Sequence, residues 1–190
     1  MKRFLVAYTS RTGSTEGVAK RMAKVLKSEG FRCDVVDLLS TRRKDWPSPA
    51  DYGGVILGSM VRMGKWDGRL RRYIDLHRNE LNGPDLTLGV FSCSATAIGE
   101  PEKATREYGE GLPKQAGLRP DACRAFAGAI DLSSQSRLGL FMKGFMKAAA
   151  EDMRKEHGVD IRDGEMNDFR NWDDIEALAR ELGNMAAGKK

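Results

Sequence analysis

The run Phe4-Leu5-Val6-Ala7-Tyr8, followed after Thr9 by Ser10-Arg11-Thr12-Gly13-Ser14-Thr15, decides how the chain is read. Five consecutive apolar residues have the length of a strand buried on both faces. The hydroxyls and the glycine that follow stop the strand and open a helix. Over that helix Val18, Met22, Val25 and Leu26 recur at helical spacing, with Lys20, Lys24 and Lys27 between them. Gly30 ends the helix and Cys33 to Leu38 supplies a second apolar strand. Strand, turn, helix and strand in this order make a βαβ unit.

The turn carries chemistry. Ser10, Thr12 and Thr15 offer hydroxyl donors, Gly13 lets a ligand approach the backbone, and Arg11 and Ser14 complete a set at the positive end of a helix. Two readings fit these residues, a phosphate cradle and a plain turn with a helix cap; the strand-to-helix setting raises the first. No GxGxxG follows the strand and no GxxxxGK[ST] occurs anywhere. Dinucleotide and triphosphate cradles therefore rank low.

Working outward, Asp51 to Gly58 holds a third strand around Val55-Ile56-Leu57, and Asp67 to Leu81 a helix presenting Leu70, Tyr73, Ile74 and Leu81. Leu86 to Ser92 and Arg124 to Ile130 read as a fourth and a fifth strand. Asn171 caps a last helix that buries Trp172, Ile175, Leu178, Ala179 and Leu182. Near-continuous apolar strands call for a parallel sheet covered by helices on both faces.

At 190 residues, 41% of them hydrophobic, the chain is expected to form one domain, 1–190, with residues 131–170 as an elaboration inside it. A charge of +5, spread among both signs, does not make nucleic acid a default partner. Cys33, Cys93 and Cys123 are odd in number and far apart, so neither a disulfide framework nor a metal site is expected. The first strand begins directly after Lys2 and Arg3, which leaves no room for a signal peptide; cytoplasmic residence is expected.

Two more loops draw notice. Gly58-Ser59-Met60-Val61-Arg62-Met63-Gly64-Lys65-Trp66 joins backbone freedom to apolar side chains that could cover a flat cofactor, and Arg62 and Lys65 could meet a carboxylate-bearing substrate. An ordinary loop with solvated cations reads equally well for any single side chain. Ser92-Cys93-Ser94-Ala95-Thr96 ends the fourth strand in small residues that allow close approach, and Cys93 reads as a buried small residue rather than a nucleophile. His77 and His157 show no pattern of a general base, and Trp46 and Trp172 read as anchors at the edge of a core. Along Arg137 to Lys155, Leu138, Phe141, Met142, Phe145, Met146, Ala149 and Met153 trace an amphipathic face; packing on the domain and contact with a membrane or partner both fit it.

The first loop resembles the S/T-x-T-G-x-T loop of the flavodoxin-like proteins, with Ser14 where simple flavodoxins commonly have Asn. Across residues 3 to 183 the chain is similar to the Flavodoxin_5 family of menaquinone-dependent protoporphyrinogen dehydrogenases. The first loop, residues 58–64, Arg119-Pro120-Asp121-Ala122-Cys123 and the long segment before the last helix carry that similarity. Ser133-Ser134-Gln135-Ser136 departs from the family's more aromatic and basic stretch. The resemblance implies a flavodoxin-like α/β fold with sheet order 2-1-3-4-5, and FMN held by Ser10 to Thr15, Ser59 to Gly64 and Ser92 to Thr96. It also implies oxidation of protoporphyrinogen IX with electrons passed to menaquinone, and a peripheral membrane contact through residues 137–155. An electron-transfer flavodoxin serving a redox protein, and another FMN-dependent quinone oxidoreductase, are the alternatives.

Overall fold

Every residue of β1 (Arg3–Thr9) after Arg3 is buried, as a strand with helices on both faces requires. The computed structural model describes residues 2–134 and 140–189. Phe4, Val6 and Tyr8 point to one side, where they meet Val18, Met22 and Leu26 of α1 (Ser14–Ser28) and Ile175, Leu178 and Leu182 of α4 (Trp172–Gly188). Leu5 and Ala7 point to the other, against Leu70, Tyr73, Ile74 and Leu81 of α2 (Gly68–Leu81). The period-two alternation of the strand thus feeds two cores at once.

β1 lies between β2 (Arg32–Asp37) and β3 (Gly54–Arg62), and β5 (Thr87–Ser94) and β6 (Ala122–Ala127) continue the sheet in the order β2-β1-β3-β5-β6, all parallel. β4 (Lys65–Trp66) is a short antiparallel addition to β3. Counted without it, the parallel strands run 2-1-3-4-5, the expected flavodoxin-like order. The chain leaves β1 toward β2 and returns on the other side toward β3, so the carboxyl ends of β1 and β3 flank a topological switch point.

The fifth strand, expected over Arg124 to Ile130, ends at Ala127 instead. The Ala129 N–H is taken by Ser14 Oγ at 2.9 Å, which draws the chain off the sheet after Gly128. β7 (Ala129–Asp131) then pairs antiparallel with β8 (Met166–Asp168). Between these strands runs α3 (Leu140–His157). The elaboration is therefore a helix on a two-stranded ribbon rather than helical alone. Its own small core joins Ile130, Leu132, Ala150 and Ile161, with Met153, Val159 and Phe169 against them. Part of the amphipathic face anticipated for 137–155 lies outside the described residues: positions 137–139 and the side chains of Phe141, Met142, Phe145, Met146 and Ala149. Among the described residues no helix is long and apolar enough to cross a membrane.

α4 starts where Asn171 places it: its Oδ1 accepts from the N–H groups of Asp173 and Asp174 at 3.1 and 3.3 Å. Asp173 and Asp174 add negative charge at the positive end of the helix. Asn171→Ala is expected to cost about 1 kcal/mol. In a thermal melt that corresponds to roughly 2–4 °C for a chain of this size.

Candidate functional site

Three loops meet at the carboxyl edge of the sheet, after β1, β3 and β5. In the first, Gly13 has φ 91°, a left-handed conformation that glycine adopts without strain, and nothing lies within 4 Å of the place a Cβ would occupy. Gly13 is also the N-cap of α1, and no side chain caps that helix end. α2 and α4 differ, since Asp67 and Asn171 cap them. The first-turn N–H groups of Ser14 and Thr15 have no backbone acceptor among the described residues. An oxyanion placed there would accept from them and meet the positive end of the helix.

The side chains of this loop divide between ligand and support. Ser10 Oγ accepts from the Gly13 N–H at 3.1 Å and keeps its own proton to donate, and Thr12 is exposed. Arg11 reaches across to Asp67 at 3.0 Å, tying the loop to the start of α2. Thr15 is buried and shares a side-chain hydrogen bond with Cys93. Ser14 is occupied at both ends: its Oγ accepts from Ala129 N–H and its carbonyl from Arg170 Nη1 at 3.2 Å. These hydroxyls hold the loop in shape while Ser10, Thr12 and the backbone amides remain for a ligand.

The segment read as a loop over 58–66 is mostly strand. β3 runs on to Arg62, and Met63 and Gly64, both at positive φ (50° and 72°), make a two-residue hairpin turn back into β4. Met63 stands 95% exposed at the tip. Arg62 and Lys65 sit directly opposite one another, and neither has an ion-pair partner among the described residues. Like charges in that position repel. At the base of the hairpin Ser59 is fully buried: its hydroxyl pairs with Thr9 Oγ1 at 2.9 Å and accepts from the Asp67 N–H at 3.1 Å. Trp66 donates from Nε1 to Ser92 Oγ at 2.8 Å, and Ser92 donates onward to the Tyr108 carbonyl at 2.7 Å. Ser59 and Ser92 thus brace the site from inside.

Beyond β5 the chain passes through short helical turns from Thr96 to Gln115, with a π-helical stretch at Thr105–Gly111 that brings Gly109 against the backbone of β6. Ser94 Oγ accepts from the Ala97 N–H at 3.2 Å, which shapes the third loop around Ala95 and Thr96. Burial pushes the Cys93 thiol up to about 12, against smaller lowering effects of the Thr15 hydrogen bond and the Arg170 charge. At neutral pH it is a thiol and a poor nucleophile.

Two contributors come from the elaboration. The guanidinium of Arg170, its side chain 8% exposed, makes two bonds to the Asp168 carboxylate at 2.7 Å and one to the Ser14 carbonyl, and lies 4.4 Å over the Trp172 ring. It crosses α1 at Gly17, where a Cβ would fall 2.4 Å from Nη1. Burial raises the Asp168 pKa, but the bonds from Arg170 outweigh it and hold the carboxyl below its ordinary value. On the other side Ile98 joins the small core of the elaboration, and the His157 ring lies where a Cβ on Gly99 would come within 2.6 Å. The elaboration therefore supports the first and third loops together. Neither contact has a local signature, because Arg170 and Ser14 are 156 residues apart.

A family model described as a flavodoxin domain matches residues 5–160. The protoporphyrinogen IX dehydrogenase [quinone] of Escherichia coli (strain K12) is 25% identical over 187 residues, which covers 95% of this chain and 94% of that protein. Among solved structures, the flavodoxin WrbA-like protein of Agrobacterium tumefaciens superposes with a TM-score of 0.54 at 14% identity, covering 100% of both chains. The rubredoxin oxygen:oxidoreductase of Desulfovibrio gigas gives 0.59 at 12% identity; this chain is covered in full but spans 37% of that one. These two likenesses speak for the fold.

Proposed function

Because the chain belongs to the Flavodoxin_5 family of flavodoxin domains, we propose that it is an FMN-dependent oxidoreductase that oxidises protoporphyrinogen IX and delivers the electrons to menaquinone. The observation that carries the cofactor is the uncapped start of α1 behind Gly13. Its free donors, with Ser10 and Thr12, are the chemistry a terminal phosphate needs. The β3–β4 hairpin, through Met60 to Gly64, and the third loop at Ser94 to Thr96 are suited to flank a flat ring system. Bound FMN supplies reversible two-electron chemistry that no side chain of the chain provides.

The substrate reading is supported by the name of the Escherichia coli relative and by the hairpin. A pair of unpartnered cations facing each other, Arg62 and Lys65, is a poor arrangement for stability and a good one for the two propionates of a porphyrinogen. Overall, protoporphyrinogen IX loses six hydrogens and three menaquinones gain two each. Menaquinone is lipid-soluble, so the reading includes peripheral contact with a membrane.

Anaerobic addition of protoporphyrinogen IX to the FMN-loaded protein is expected to bleach the flavin absorbance, and menaquinone to restore it with stoichiometric porphyrin formation. A flavin that stays oxidised would reject the activity, and rapid exchange with a redox protein without porphyrin would favour an electron-transfer flavodoxin. The double variant Arg62→Glu, Lys65→Glu is expected to raise KM for protoporphyrinogen IX at least tenfold, about 1.4 kcal/mol. The KM is compared at saturating FMN, because Arg62 lies in the hairpin proposed to flank the ring system.

A further inference from the structure

The loop after β2 and the first turns of α2 line an open cleft of about 540 Å³. Arg42, Arg43, Arg69 and Arg72 line it, and no acidic residue does. Each nearby carboxylate already has a partner, and Asp45 neutralises one of the lining residues. Asp45 pairs with Arg42 at 2.8 Å, Asp67 with Arg11 and the Arg69 N–H, and Asp37 accepts from the Leu39 N–H. Arg43 and Arg72 have no ion-pair partner among the described residues. The wall is fixed: Trp46 donates to the Thr41 carbonyl at 3.2 Å and meets the Tyr73 ring edge-on at 5.9 Å.

Of the four guanidinium groups around the cleft, Asp45 offsets that of Arg42 and Arg69 donates to the Leu38 carbonyl at 3.4 Å, which leaves those of Arg43 and Arg72 to repel each other unless solvent or a ligand intervenes. Their planar forks match carboxylate and phosphate oxygens two at a time. Trp46 and Leu39 give the same cleft an apolar surface. We infer that this cleft is a binding site, separate from the flavin loops, for a small molecule that carries clustered oxyanions. Phosphate esters and polycarboxylates share the required chemistry. The site does not depend on the porphyrinogen reading, because its residues lie outside the hairpin and the first loop.

Pyrophosphate and citrate serve as probes, titrated by calorimetry into the FMN-loaded protein at low ionic strength. Saturable one-site binding is expected. The variant Arg43→Glu, Arg72→Glu should weaken it at least tenfold, and Arg71→Glu, on the same helix but outside the cleft, should not. All three side chains are exposed, and unchanged FMN affinity in each variant confirms the fold. Tighter binding of pyrophosphate would assign the site to phosphate esters, and tighter binding of citrate to carboxylates. Competition of either probe by protoporphyrin IX, but not by its dimethyl ester, would make the carboxylates those of the substrate. Absence of binding, or equal weakening by Arg71→Glu, overturns the site.

Discussion

Arg170→Ala lowers the affinity for FMN by about tenfold and leaves the affinity for riboflavin nearly unchanged, as followed by quenching of flavin fluorescence. The Arg170 guanidinium rests on the Ser14 carbonyl and Gly17. Removing it frees the first turn of α1, whose amide groups are the proposed phosphate donors, and the partner Asp168 is left without its main bonds. Losing a charge-assisted hydrogen bond costs about 1.5–3 kcal/mol. Asp168 is about a third exposed, so the lower figure applies. Riboflavin lacks the phosphate, so the ratio of the two affinities separates loop positioning from general loss of structure. Arg170→Lys should recover little, because an ammonium cannot hold Asp168 twofold and reach Ser14 as well. The pH dependence has a definite sign. Asp168 is held below its ordinary value in the folded protein, so its contribution is complete above the unfolded value near 3.9. It fades as pH falls through the lower folded value, and in that acid window the wild type should lose its advantage over Arg170→Ala.

Phe91→Ala destabilises the protein by about 3–5 kcal/mol in urea unfolding. Phe91 is fully buried, and its ring lies over Gly58, its direct neighbour across β3 and β5. A Cβ on Gly58 would fall 2.1 Å from Cζ of that ring. Gly58→Ala alone therefore overpacks the core, at about 1–3 kcal/mol. In the Phe91→Ala background the same change meets empty space and should cost little or nothing. The coupling between the two, measured as a double-mutant cycle, should exceed 1 kcal/mol in favour of the pair. Additive effects would show that Gly58 is present for its backbone rather than to admit the ring.

That pair also shows where sequence reading reaches its limit. Gly58 reads as the end of a strand because glycine weakens strands. In the fold it is spanned by Phe91 from the adjacent strand, and β3 continues four residues past it into the hairpin. The same holds at Gly128, where the expected fifth strand breaks because Ser14, 115 residues earlier, takes the next amide. β1, α1 and the Asn171 cap were legible because their determinants lie within a few residues of one another. The first loop was legible as a donor cluster. Which hydroxyls face a ligand and which are consumed as braces was not, since Thr15, Ser59 and Ser92 take their partners from distant strands. Arg170 and His157 carried no pattern at all.

The elaboration has a consequence for how such chains can diverge. Gly17 and Arg170 fit as a bolt fits its slot: any side chain at 17 displaces the guanidinium, and a shorter residue at 170 leaves the slot vacant. The two positions are coupled, although they lie far apart in the chain. Transplanting residues 10–15 onto a shorter scaffold would carry the donors across but leave behind the strut that sets their spacing. Trimming 129–170 to the size of a minimal flavodoxin would likewise unseat the proposed cradle rather than merely shorten the surface.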